Sequence, residues 1–121
     1  MIISRHLEYL IDQHPEDVRK ARVFAVIFKR TTIISYGYNR KRFQYCSSIR
    51  GNTFTTHAEI SSLKKAGHRA RGADILVLRR RKDKTFSMSK PCSKCEFQIR
   101  KAGISTMTYV DWQGMLITIS L

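Results

Sequence analysis

The stretch Pro91-Cys92-Ser93-Lys94-Cys95, followed at once by Glu96-Phe97-Gln98-Ile99-Arg100-Lys101-Ala102-Gly103, does most to limit what this chain can fold into. Two cysteines three positions apart lie on adjacent points of one helical turn, so both sulfurs can reach a single metal ion. Proline suits the first helical position, where its missing N–H costs nothing, and Gly103 stands where a glycine closes a helix. The pair therefore opens a predicted helix of about three turns, whose positive end favours thiolates. A Cys-x-x-Cys pair alone also serves redox motifs and structural zinc clips. A second stretch upstream gives it weight: Thr56-His57-Ala58-Glu59-Ile60 opens another helical pattern, His57–Ala66. There Ile60, Leu63 and Ala66 are spaced for burial, and Gly67 is the stop.

The remaining pattern frames these two helix starts. Residues 2–14 put Ile2, Ile3, Leu7, Leu10 and Ile11 on one helical face, and Pro15 ends that run. Ala21–Phe28 is β-branched and aromatic, a central strand, and Ile33–Tyr38 pairs with it as a hairpin. Asn39 to Thr56 shows no clean periodicity and reads as a long loop of functional type. Asp74–Leu78 is a strand covered on both faces, Arg79–Lys84 a charge run, and Phe86–Lys90 a lead into the cysteine helix. Ile104–Val110 and Met115–Ser120 are the last strands, with Asp111–Gly114 between them. A parallel neighbour needs about a dozen connecting residues, so these two are predicted antiparallel. One α/β domain over residues 1–121 follows, with helices against a five-stranded mixed sheet.

Together the two helix starts offer His57, Cys92 and Cys95 as metal ligands. Three protein ligands leave a fourth tetrahedral position open, the catalytic rather than the structural zinc arrangement. Zinc lowers the pKa of a bound water towards neutrality, and Glu59 stands where it can shuttle protons without being a ligand. His-x-Glu followed by Pro-Cys-x-x-Cys is the signature of zinc nucleobase deaminases.

On these residues the chain resembles the cytidine/deoxycytidylate deaminase superfamily over most of its length. The resemblance implies a three-layer α/β/α architecture, Zn2+ as cofactor, and attack on C4 of cytosine with Glu59 protonating N3 and then the departing ammonia. It further implies that Ala58 helps hold the base carbonyl through its backbone, and that Asn39, in Tyr36-Gly37-Tyr38-Asn39, contacts the substrate. An antiparallel end resembles the free-nucleoside cytidine deaminases and some deaminase toxins. It is unlike the tRNA adenosine deaminases and the APOBEC-like branch, whose final strands resemble a parallel pair. Small members of the superfamily often assemble, so a homo-oligomer is expected by resemblance.

Charge bears on the substrate. The chain carries 23 Lys+Arg against 9 Asp+Glu, a formal +14, although residues 1–18 are net acidic. Such an excess points to a polyanionic partner. The stretch Arg40-Lys41-Arg42-Phe43-Gln44-Tyr45 interleaves cations with rings, as single-strand binders do. Arg40, Arg42, Phe43 and Tyr45 are therefore candidate substrate contacts beside Asn39 and Ala58. The expected substrate is cytosine in single-stranded DNA or RNA. Free cytidine, deoxycytidine or dCMP is the alternative, and adenine stays open because the motif serves both bases. A non-catalytic nucleic-acid-binding module is a further alternative, in which Cys46 closes a Cys₃His zinc site. No apolar run approaches the roughly 20 residues that span a bilayer. No leader pattern opens the chain and the cysteines suit a reducing compartment, so the expectation is a cytoplasmic or nuclear chain with no membrane partner.

Overall fold

The computed structural model describes residues 5–13, 22–43, 53–81, 83 and 85–121, and of 40–43 and 53–56 the backbone alone. β1 (Arg22–Lys29) and β2 (Thr32–Tyr38) form the expected hairpin, with a bulge at Ile27/Phe28. Successive strand residues point to opposite faces, so β1 sends Phe24 and Val26 to one side of the sheet and Ala25 and Ile27 to the other. Both faces are covered, which is why this segment reads as an unbroken apolar run.

β5 (Asp74–Arg80) lies antiparallel to β1 on one side and parallel to β7 (Thr106–Val110) on the other. β8 (Leu116–Ser120) closes that edge antiparallel to β7, as the short Asp111–Gly114 connection requires. The order is β2-β1-β5-β7-β8, the five strands of the sequence reading. A sixth, β6 (Phe86–Ser87), pairs with the far end of β5.

β1 is antiparallel to both β2 and β5, so β2 and β5 run the same way, and β5 and β7 do too. Each of these steps is a crossover through a helix: α2 (Ala58–Ala66) from β2 to β5, and α3 (Ser93–Lys101) from β5 to β7. Two crossovers of one hand moving in one direction across a sheet put both helices on one face. Ala58, Ala66 and Ile99 accordingly share a core with Ala25, Ile27, Ile75, Val77 and Met107. The opposite face is covered by α1 (Arg5–Asp12), whose Leu10 and Ile11 pack on Phe24, Val26, Tyr38, Leu78 and Val110. Tyr38 donates its hydroxyl to the Leu10 carbonyl, and Arg80 meets Asp12 at 2.7 Å. The architecture is three-layered. Among the described residues no helix is long and apolar enough to cross a membrane.

Four details depart from the sequence reading. Within 39–56 the chain forms an antiparallel ribbon, β3 (Arg40–Phe43) with β4 (Thr53–Thr56). β-Branched threonines favour such a strand, but four residues are too few to show a period. β5 runs on through Arg79 and Arg80, because its partners Val23 and Arg22 continue alongside. Pro91 lies two residues before α3 rather than at its first position, since Cys92 takes an extended cap conformation (φ −66°, ψ 166°). On α2 the fully buried residues are Ala58, Glu59, Ser62 and Ala66, whereas Ile60 and Leu63 are only partly covered. Of the first-helix reading, residues 2–4 and 14 lie outside the described residues.

Candidate metal centre

Both crossover helices start at the carboxyl end of the parallel strands, and each is capped by a metal-type residue. His57 precedes α2 in an extended conformation (φ −74°, ψ 144°), as Cys92 precedes α3. Neither side chain turns back to cap its own helix. The first turns close instead through Ser61 N–H to the His57 carbonyl (3.1 Å) and Glu96 N–H to the Cys92 carbonyl (2.8 Å).

Freed in this way, the two side chains meet. His57 Nδ1 is 3.0 Å from Cys95 Sγ and 3.8 Å from Cys92 Sγ, and all three donor atoms lie within 4.8 Å of one another. A tetrahedral zinc with Zn–N and Zn–S bonds of usual length would hold N and S about 3.6 Å apart. One nitrogen and two sulfurs suit zinc chemically as well as metrically. Cys95 is buried while His57 and Cys92 are exposed, so the group opens to solvent on one side. Among the described residues no fourth His, Cys, Asp or Glu joins it; Cys46 lies outside them.

Glu59 is the second residue of α2, only 5% exposed. Burial pushes its carboxyl above the ordinary carboxylate value, and its backbone hydrogen bond, His57 and Cys95 pull the other way. Burial likewise pushes the Cys95 thiol up, and the neighbouring Glu59 charge adds to this. A thiol held protonated by its surroundings becomes a ligand when a cation takes the proton's place.

The other predicted contacts are distributed as follows. Ala58 opens α2 and is fully buried. Asn39 is buried at the end of β2, donating its N–H to the Val23 carbonyl (3.2 Å) and accepting the Val23 N–H on Oδ1 (2.8 Å). Its carboxamide oxygen thus clamps β1. Arg40, Arg42 and Phe43 lie on β3, where Arg40 pairs with Thr56, the residue before His57. The backbone therefore brings the base of the ribbon to the metal centre; the side chains of 40–43 and the whole of Tyr45 lie outside the described residues.

Four further residues, given no role by the sequence reading, support the site. Gly37 lies directly under α2: a Cβ there would stand 2.7 Å from both the Ala58 carbonyl oxygen and the Ser62 N–H nitrogen. Ser62 donates to the Glu59 carbonyl (2.8 Å), and Ser35 on β2 donates to the Ser62 carbonyl (2.8 Å), tying the first turn of α2 to the sheet. Ser89 joins β5 to β7: its hydroxyl donates to Val77 (2.7 Å) and accepts from the Val110 N–H (2.8 Å), and its own N–H donates to the Val110 carbonyl (2.9 Å). This fixes the chain three residues before Cys92. A small residue three positions past Glu59 was the one sequence signal for Ser62, and it reads equally as an ordinary polar helix position.

Comparison with known proteins agrees with this geometry. The cytidine deaminase of Burkholderia pseudomallei, solved at 1.6 Å, superposes with a TM-score of 0.64 at 16% identity, covering 98% of this chain and 93% of that one. The dCMP deaminase of the cyanophage S-TIM5, in apo form, gives 0.54 at 17% identity, covering 91% and 86%. Acinetobacter baumannii RibD (form 2) is 26% identical over 69% of this chain, with a TM-score of 0.44, and this chain spans 19% of its length. No curated protein sequence matches the chain. The two fuller superpositions share its fold. The model of one family, described as the cytidine and deoxycytidylate deaminase zinc-binding region, matches residues 5–111. A zinc-type donor group built on two helix starts, in a chain matched over nearly all its length, makes this a member of the cytidine and deoxycytidylate deaminase family, with Zn2+ as its cofactor.

Proposed function

We propose that the chain is a hydrolytic deaminase converting cytosine to uracil in single-stranded nucleic acid. The observation that carries the reaction is the convergence of His57, Cys92 and Cys95 beside a buried carboxyl, Glu59. Zinc held by the three donors would lower the pKa of a water towards neutrality and so supply the nucleophile.

The chain's own groups do the rest. Glu59 takes a proton from the attacking water and gives it to N3 of the ring as a C–O bond forms at C4. It then takes the remaining proton of the added hydroxyl and passes it to the amino group as the C4–N bond breaks and ammonia leaves. Water and cytosine thereby give uracil and ammonia, with Glu59 regenerated. The N–H groups of the first turn of α2, at Ala58 and beyond, point out of the helix start and suit a base carbonyl. Asn39 and the ribbon residues Arg40, Arg42, Phe43 and Tyr45 are proposed to border the substrate.

The substrate class rests on charge. A formal +14 exceeds what one monophosphate requires, and the basic, aromatic β3 begins beside His57. Free cytidine, deoxycytidine or dCMP is the second reading. The antiparallel β7–β8 end favours it, as do the names of two structures that superpose over most of the chain.

Uracil formation tests both. Zinc-loaded protein is offered a cytosine-containing single-stranded oligonucleotide, dCMP and cytidine, with Glu59→Ala as control. Conversion of the oligonucleotide, abolished in Glu59→Ala, supports the first reading, and conversion of the monomers alone selects the second. Zinc retained in Cys46→Ser argues for an open catalytic site, whereas loss of zinc and folding in that variant would mark a closed structural one.

A further inference from the structure

We infer that a single strand reaches the metal centre along the outward face of α3, its bases stacking on Phe97 and its phosphates meeting Lys94 and Lys101. The inference rests on the polynucleotide reading above and adds to it a path. Residues three, four and seven apart share one face of a helix. Lys94, Phe97, Gln98 and Lys101 stand in that relation and are all exposed, whereas Cys95 and Ile99 point inward. The face begins between the two thiol ligands, since Lys94 lies in the turn that joins Cys92 to Cys95.

Phe97 is 61% exposed. Among the described residues its ring packs on no other aromatic side chain, and neither lysine has an ion-pair partner. The nearby acid of the helix, Glu96, is engaged by Arg100 at 3.3 Å. An uncovered ring between two unopposed cations is the arrangement that holds single-stranded nucleic acid. Lys94 and Lys101 are separated by about 10 Å along the helix, the rise of about three stacked nucleotides.

The cationic surface continues past the helix. Arg71 lies against Gly103, where a Cβ would come within 3.3 Å of its Cγ, and Lys29 Nζ would stand 3.7 Å from a Cβ at Gly72. A free nucleotide that fills the metal centre needs none of this surface. A strand several nucleotides long does.

The test is fluorescence anisotropy of the zinc-loaded full chain with labelled dCMP, a trinucleotide and longer single strands, across a range of salt. Wild-type protein is expected to bind the longer strands more tightly than dCMP. Phe97→Ala should weaken the longer strands roughly tenfold with little change in salt dependence. Lys94→Gln with Lys101→Gln should lower the slope of log affinity against log salt by about 1.4. Metal analysis of each variant confirms that zinc is retained. Longer strands bound equally by wild type and by both variants would overturn the path while leaving the polynucleotide reading intact. Failure of wild-type protein to bind any strand more tightly than dCMP would remove that reading and the path together. A change of oligomeric state in Phe97→Ala, with strand affinity unaltered, would make this face a contact between copies of the chain and also overturn the inference.

Discussion

Gly37 and Ala58 are in such close contact that one added methyl on the glycine would reach to 2.7 Å from the alanine carbonyl oxygen. α2 rests on β2 at this point, and His57 and Glu59 flank Ala58. Gly37 is not among the positive-φ glycines, so alanine fits its backbone and the effect of Gly37→Ala is purely one of space. The variant is expected to lose about 1–3 kcal/mol of stability, the usual cost of overpacking, and to bind zinc more weakly. Chemical denaturation and a zinc competition titration measure the two. A variant matching wild type in both would mean that α2 shifts outward without strain.

The buried carboxyl of Glu59 links stability to pH in the metal-free protein. Its folded pKa is raised from the ordinary 4.5, so the folded state binds this proton more tightly than the unfolded chain does. That contribution is fully present below the unfolded value and is lost as pH rises through the folded one. Metal-free Glu59→Gln should therefore be more stable than metal-free wild type at neutral pH, with the gap closing as pH falls towards the ordinary carboxylate range. Thermal melts across that range read the effect, and a gap that widened on acidification would contradict it.

Ser89 satisfies two buried backbone groups at once, the Val77 carbonyl and the Val110 N–H. Ser89→Ala leaves both unpaired, at a cost of about 1–3 kcal/mol each at most. The segment that delivers Cys92 is loosened with them, so zinc should dissociate faster. Stopped-flow transfer of zinc to a chelator tests this; an unchanged off-rate would confine Ser89 to a packing role.

Removal of zinc should destabilise the whole chain, since His57 and Cys92 belong to separate crossovers. Free zinc at a thousandfold excess over its dissociation constant contributes about 4 kcal/mol. Chelation should then lower Tm by well over about 10 °C in a domain of this size. Because the thiols must lose protons to bind, the loss should also appear on acidification. Coincident melts with and without chelator would show that metal and fold are independent.

The five principal strands and the donor group His57, Cys92 and Cys95 were legible in the sequence because each depends on local pattern, whereas the three layers came from the family resemblance. The β-branched and aromatic run Ala21–Phe28 and the short Asp111–Gly114 connection needed no knowledge of distant residues. What was not legible depends on approach between elements. Gly37 looked like part of an asparagine motif, yet its lack of a side chain lets α2 settle on the sheet. The same closeness shifted the burial pattern of α2: Ala66 is buried as expected, but small Ala58 and Ser62 take the innermost positions in place of Ile60 and Leu63. The β3–β4 ribbon was hidden because a four-residue strand rich in arginine carries no visible period.

The parallel pairing of β5 with β7, Asp74 opposite Thr106 through Leu76 opposite Thr108, sets the span that α3 must bridge. A slip of one residue would displace that span by about 3.3 Å and turn Met107 from the core to the other face. Through α3 and Ser89 such a slip would pull on the segment that brings Cys92 and Cys95 to His57. Because the three donors converge only in the correctly paired sheet, bound zinc would favour molecules with this register over mispaired ones.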